Sequence, residues 1–325
     1  MRRHRGGRDC SAADIRAQLD YLRAFHRRRL RPGRDADSAE LADRADFTQD
    51  DAVAIVSCRA CGHVFRATRP QADAVAEEYA EDEYGAERLA SLFDAQREQF
   101  RDKTARLQDL LPESRPSLVE IGSFVGGFLA VAGERGWDCV GVDPGAEVDA
   151  FCRRQGFTVH RSTAEAAPIA DASVDCVAIW NTFDQLPDPR PTLRAARRWL
   201  RPGGCLVVRV PNGAAFRAAI TALPGPPAAL RPPLLAALAW NNFLGFPYLQ
   251  GYSLVTLDAL LAEFGLQRIA ADADMLVRLA DEHTRFWARL EEQGLKTLWR
   301  LFARQHREAA PWFDVYYRVS PSASR

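Results

Sequence analysis

LVEIGSFVGGFL, Leu118 to Leu129, runs from an apolar strand through a glycine-rich turn into a helix. About twenty residues on, the next apolar run, CVGVD, ends in an acid, Asp143. Gly122 permits a tight turn at the strand end, and Gly126 and Gly127 let backbone approach a ligand at a helix N-terminus. A carboxylate at the tip of the neighbouring strand can accept hydrogen bonds from two ribose hydroxyls. Together these elements place a nucleoside across the ends of two adjacent strands.

The same rhythm continues outward. SLVEIG, CVGVD, FTVH, VDCVAIW and CLVVRV are short β-rich runs, separated by the helical stretches GFLAVAGERG, AEVDAFCRRQG and PTLRAARRWLRPGG. Such alternation predicts an α/β fold with a parallel sheet covered on both faces. Upstream, Ile15, Leu19, Leu22 and Phe25 recur at helical spacing, and AVAIVSCRACGHVF reads as two short strands joined at a cysteine turn. A helical stripe then spans Gln71 to Leu111, broken by Pro112 and Pro116. Downstream of Asn212 the chain turns rich in Pro, Ala and aromatics. A helix over Val255 to Phe264, a strand over Leu266 to Ala270, a helical stretch over about Asp274 to Ala309 and a last strand, PWFDVYYRV, complete it; that strand is expected at a sheet edge. The expected organisation is an N-terminal helix and β unit over residues 1–70, a helical connector over 71–115, and an α/β domain over 116–325. The last carries a lid-like, acceptor-side insertion at about 213–253 and a helical insertion at about 274–310.

Composition bounds the function. Lys plus Arg equals Asp plus Glu at 43 each in 325 residues, so the molecule as a whole has no pull on polyanions, and nucleic acid is not expected as a partner. The Arg-rich start reads as a solvated basic tail, followed by acids at Asp35, Asp37, Glu40 and Asp43. No apolar run approaches the roughly 20 residues that span a bilayer, and no signal-peptide pattern opens the chain. Seven scattered cysteines suit reduced thiols and the cytoplasm.

A dinucleotide needs G-x-G-x-x-G so that backbone can close on a pyrophosphate, and Phe124 fills the middle position here. That disfavours NAD and an oxidoreductase. S-adenosylmethionine has no phosphate and tolerates a looser loop, with Glu120 able to face its ammonium. EIGSFVGGFL, GVDP, VDCVAIWNTFDQLPDP and LRPGG, in this order over about Pro116 to Asn212, resemble motifs I, post-I, IV and VI of class I S-adenosylmethionine-dependent methyltransferases. The chain is most similar to the bacterial small-molecule branch, in which a cysteine-containing segment precedes the domain and a VPN-like tripeptide, here Val210-Pro211-Asn212, follows the fifth strand. The resemblance implies a Rossmann-like, mostly parallel seven-stranded sheet. It also implies that Glu120, Gly122, Ser123 and Gly126 line the methionine end and that Phe124 and Phe128 of the same stretch belong to the cofactor site. By the same carry-over Asp143 holds the ribose, Pro144 flanks the adenine, Thr163 and Ala164 stand near its amino group, and Asn181 approaches the sulfonium.

Methyl transfer from a sulfonium needs alignment, plus a base where the nucleophile carries a proton. Where related enzymes often have Glu-His after the fourth strand, this chain has Asp184-Gln185. Gln185 cannot act as a base, and Asp184 can if burial raises its pKa. Asp184 and Tyr252 are therefore the catalytic candidates, and Gln185, Trp240, Asn241 and Tyr248 the candidates for contacting a small-molecule acceptor such as a sugar or secondary metabolite. Cys58-Arg59-Ala60-Cys61 looks like half of a zinc ribbon whose other knuckle is missing, with Cys58 and Cys61 as the doubtful metal pair. A ribbon without its metal, standing on packing, is preferred over an occupied zinc site. The competing function from another class is a binding or partner module that keeps the nucleotide pocket without turnover.

Overall fold

The computed structural model describes residues 10–32, 53–71, 84–223, 225, 229–275 and 284–320. The basic start, the acidic link and the first part of the expected connector helix lie outside them. In chain order the first elements are α1 (Ala12–Arg27), β1 (Ile55–Ser57), β2 (Val64–Arg66), α2 (Ala86–Leu110), β3 (Ser117–Ile121), α3 (Gly127–Glu134) and β4 (Asp138–Asp143). Then follow α4 (Ala146–Arg154), β5 (Thr158–Arg161), β6 (Val174–Ile179), α5 (Arg190–Trp199), β7 (Leu200–Pro211), α6 (Gly213–Ala222) and α7 (Arg231–Trp240). The chain closes with β8 (Gln250–Gly251), α8 (Leu254–Ala262), β9 (Leu266–Asp274), α9 (Phe286–Gln305) and β10 (Trp312–Val319).

These elements form two compact units. One comprises Met1–Arg69, Pro211–Thr256 and Asp272–Phe313; the other comprises Pro70–Val210, Leu257–Ala271 and Asp314–Arg325. The second unit is built on a seven-stranded sheet of order β5-β4-β3-β6-β7-β10-β9, in which β5, β4, β3, β6 and β7 pair in parallel. This is the expected mostly parallel Rossmann-like sheet. Every residue of β6 is buried, as a strand covered on both faces requires. One face carries Phe100 and Leu107 of α2 and Phe128 and Val131 of α3 against Leu118, Cys176, Val207 and Tyr316.

β10 departs from the expectation of an edge strand. It lies between β7 and β9, and the edge belongs to β9. Seven of its eight residues are buried, whereas β9 leaves Ile269 at 39 % exposure. A run with apolar residues on both faces is driven to the interior, and the more polar Leu266–Asp274 tolerates the rim.

In the first unit, Ser11 caps α1 in a reciprocal box with Asp14, and Ile15, Leu19, Leu22 and Phe25 are buried in a core with Trp240, Phe243, Phe246 and Trp312. β1, β2 and β8 form a small antiparallel sheet. Asn212, the last residue of the VPN tripeptide, has a structural role: its Oδ1 accepts from the amides of Ala214 and Ala215, and its Nδ2 donates to the carbonyls of Glu308 and Ala310.

Candidate active site

The turn after β3 alternates into the left-handed region three times, at Gly122 (φ 70°), Phe124 (φ 44°) and Gly126 (φ 75°). It is tied to the end of β4 by the Gly122 amide, which donates to the Val142 carbonyl at 2.8 Å. Asp143 sits where the sequence placed it. Its Oδ2 accepts from the Phe124 amide at 2.8 Å and its Oδ1 from the Gly145 amide at 2.9 Å. The carboxylate thus clamps the glycine turn to the loop that contains Pro144. The Phe124 ring turns to Tyr84, centroid to centroid 5.2 Å.

Gly122 also joins this turn to the next one. A Cβ on Gly122 would lie 1.9 Å from Oγ1 and 2.8 Å from Cβ of Thr182, the second residue beyond the loop's start at Trp180 after β6. The loops at the carboxyl ends of β3 and β6 are therefore in contact, and only glycine fits between them. Gly127 is equally close to Gln96 of α2, whose Oε1 accepts from the Gly127 amide at 3.3 Å.

Two polar side chains of the β3 segment are buried with an atom that has no hydrogen-bond partner among the described residues: Glu120 Oε2 and Ser123 Oγ. Burial, with the charge of Asp143 second, lifts the Glu120 carboxyl well above the usual carboxylate range. A buried carboxyl with an oxygen that has no partner among the described residues, at a strand end, is a place where a cationic, hydrogen-bonding group would relieve a standing cost. The ammonium of S-adenosylmethionine has that chemistry, so these residues fit its methionine end. Thr163 and Ala164 follow β5, the partner of β4. Thr163 is exposed and Ala164 buried.

The loop after β6 carries the remaining candidates of this unit. Asn181 adopts φ 51°, a left-handed conformation that asparagine tolerates, and its Oδ1 accepts from Arg209. Asp184 lies in the one-turn 3₁₀ helix Phe183–Gln185, 1 % exposed; its Oδ2 accepts from Gln185 Nε2 at 2.8 Å, and its Oδ1 has no partner among the described residues. Burial pushes its pKa up to about 7, opposed by the backbone, the Arg209 charge and Gln185. A carboxyl poised near neutrality can both take and hold a proton.

Arg209 was not singled out from the sequence. It is fully buried in β7, with Nε 3.6 Å from Asp314 Oδ1, and Asp314 is also ion-paired with buried Lys103. Lys103 Nζ stands 5.5 Å from the ring centroid of Trp180. This chain of charges ends at Asn181 and bears on Asp184. A signal was present: CLVVRV is an apolar strand interrupted by one cation, Arg209, and WFDVYYRV one interrupted by Asp314 and Arg318, and a charge in a buried strand demands a partner.

The other candidates belong to the first unit. Trp240 is fully buried and donates from Nε1 to Glu291 at 3.0 Å, Asn241 Nδ2 donates to the Ala237 carbonyl, and the Tyr248 hydroxyl donates to the Asn242 carbonyl. Tyr252 is buried, bridges to Asn212 and has its ring 4.8 Å from that of His63. Cys58 and Cys61 form the turn between β1 and β2: the Cys58 amide donates to His63, and the Gly62 amide donates back to Cys58. The Cys61 and Ala60 amides hold the Cys58 thiol below its ordinary pKa. Among the described residues no group of three or more His, Cys, Asp or Glu side chains could hold a metal ion.

A family model described as a methyltransferase domain matches residues 93–271, more than half of the chain. The chain belongs to the methyltransferase domain family. Membership supports S-adenosyl-L-methionine as the cofactor of the turn described above. No protein of curated function matches. Solved structures it resembles include an S-adenosylmethionine-dependent methyltransferase from Thermotoga maritima, at 18 % identity over 71 % of this chain and 94 % of that one, TM-score 0.44. One from Archaeoglobus fulgidus is 17 % identical over 68 % and 94 %, TM-score 0.45. The CcbJ methyltransferase from Streptomyces caelestis is 15 % identical over 68 % and 89 %, TM-score 0.44.

Proposed function

We propose that this methyltransferase moves the methyl group of S-adenosylmethionine to a small-molecule acceptor in the cytoplasm, with Asp184 as general base. The observation that carries the reading is the clamp of Asp143 on the Phe124 and Gly145 amides beside the buried, partner-seeking oxygen of Glu120. Glu120 and Ser123 would receive the amino-acid end, Asp143 with Pro144 the ribose and adenine, and Asn181 the neighbourhood of the sulfur. When bound, the cofactor supplies a sulfonium-activated methyl with a neutral thioether as leaving group. The chain's own task is alignment and proton management. Asp184, with its pKa near 7, accepts the proton that the acceptor's nucleophile loses as its bond to carbon forms.

A small acceptor is favoured by the balance of 43 basic and 43 acidic residues, which gives no steering toward polyanions, and the cytoplasm by seven cysteines of which none forms a disulfide. Incubation of the purified protein with methyl-labelled S-adenosylmethionine and a fractionated metabolite extract tests it. Label is expected in low-mass products. Label confined to protein or nucleic-acid fractions would overturn the acceptor class, and no transfer by folded, cofactor-binding protein would overturn the activity.

A further inference from the structure

α9 carries an apolar stripe that the described residues leave exposed. Phe286 is 74 % exposed, Trp287 47 %, Leu290 53 %, Leu298 65 %, Leu301 52 % and Phe302 53 %. The opposite side of the helix is spent inward: Ala288, Glu292, Lys296 and Ala303 are buried, and Leu295 and Trp299 pack on the core. The six exposed residues have a symmetry along the sequence. Leu290 and Leu298 stand four residues either side of Gly294, Trp287 and Leu301 seven, and Phe286 and Phe302 eight, so aromatic answers aromatic at the outermost pair and leucine answers leucine at the innermost. At 3.6 residues per turn all six lie within about 80° of the Gly294 direction.

Among the described residues nothing requires Gly294 to be glycine. It sits in mid-helix, and a Cβ there would meet no atom within 4 Å. Exposed mid-helix glycine gives up about 1 kcal/mol of helix propensity relative to alanine. What the missing side chain allows is the close approach of another backbone at the centre of the stripe.

We infer that α9 is a homodimerisation surface, on which a second copy of this chain packs its own α9 antiparallel about a two-fold axis through Gly294. A two-fold contact is self-complementary: residue i meets j and j meets i. With Gly294 on the axis, Leu290 faces Leu298 of the other copy, Trp287 faces Leu301 and Phe286 faces Phe302, and the sequence satisfies each pairing with apolar residues on both sides. The exposed part of the six side chains is roughly 700 Å² per copy, taking 150–250 Å² for a whole aromatic and less for leucine. A stable interface needs roughly 800 Å² per partner, so the stripe and its immediate rim suffice. The inference stands apart from the proposed acceptor and cofactor.

Light scattering and sedimentation of the full chain at tens of micromolar test it, with a mass of twice 36.2 kDa expected. Gly294→Glu leaves the fold intact, because no described residue lies near its Cβ, but sets two carboxylates against each other on the axis. Self-association should weaken at least about 100-fold while the thermal stability of the monomer is not lowered, glutamate being the better helix former. Under mild oxidation Gly294→Cys should crosslink to itself, whereas wild type and Leu290→Cys should not. A monomeric wild type, a dimer indifferent to Gly294→Glu, or a monomer that instead binds anionic phospholipid vesicles through this helix would each overturn the inference.

Discussion

Replacing Gly122 with alanine tests whether the loops after β3 and β6 build one site. Two separate costs follow from the structure. Gly122 has φ 70°, where an L-residue with a Cβ loses about 1–2 kcal/mol. The new Cβ would also stand 1.9 Å from Thr182 Oγ1 and 2.8 Å from Thr182 Cβ, so one loop must move, at about 1–3 kcal/mol for an overpacked site. The sum is about 2–5 kcal/mol. Thr182→Gly removes the obstructing side chain at about 0.5–1 kcal/mol of backbone entropy, and leaves the φ cost untouched. Urea denaturation of wild type, both single variants and the double variant forms a cycle, and S-adenosylmethionine affinity measured on the same four proteins reports the site. The double variant should be more stable than the sum of the singles predicts by about 1 kcal/mol or more, and should recover part of the lost affinity. Additivity within about 0.5 kcal/mol, the behaviour of sites that do not touch, would refute the contact.

Three further outcomes follow. Asp184 titrates near pH 7 in the folded chain and near 3.8 in the unfolded one, so its contribution to stability is complete below about pH 4 and is lost as pH rises through 7. Asp184→Asn should flatten that decline, by about 3–5 kcal/mol across the window, and abolish the rise in methyl-transfer rate near neutrality; an unchanged pH-rate profile would remove it as the base. Arg209→Met takes from Asn181 its buried donor and leaves Asp314 with Lys103 as its buried cation, and should cost about 3–5 kcal/mol of stability in denaturant melts. Because the Arg209 charge lowers the Asp184 pKa, any activity that survives should titrate at higher pH than wild type, and a profile at the same or lower pH would show that the two do not interact.

The sequence was most readable where the determinants are local. Leu118 to Phe128 and Asp143 announce a strand, a turn and an acid at a fixed offset, and the structure joins them by a hydrogen bond from the Phe124 amide to the carboxylate. α1 was legible from the helical spacing of its four apolar residues, all of them buried. The insertion of β10 between β7 and β9 was not, because strand order is set by pairings between residues far apart in the sequence. The Lys103–Asp314–Arg209–Asn181 chain escaped for a related reason: each member is unremarkable in its own segment, and the partners come from α2, β10, β7 and a loop. Asp184 could be named from its place after β6, but its shifted pKa arises from burial that only the folded chain creates. Trp240 illustrates the converse. Its aromatic, Pro-rich surroundings suggested a ligand contact, and the folded chain commits its ring to the core and its Nε1 to Glu291.

The central claim is that the β3 turn and Asp143 grip one S-adenosyl moiety. Titration calorimetry of the purified protein with S-adenosylmethionine addresses it most directly, with Asp143→Asn run in parallel as a folded control. One cofactor should bind per chain, and the variant, which trades a charged acceptor for an amide, should bind about 10- to 100-fold more weakly. Absence of binding to folded wild type at millimolar ligand, or equal affinity in the two proteins, would contradict it.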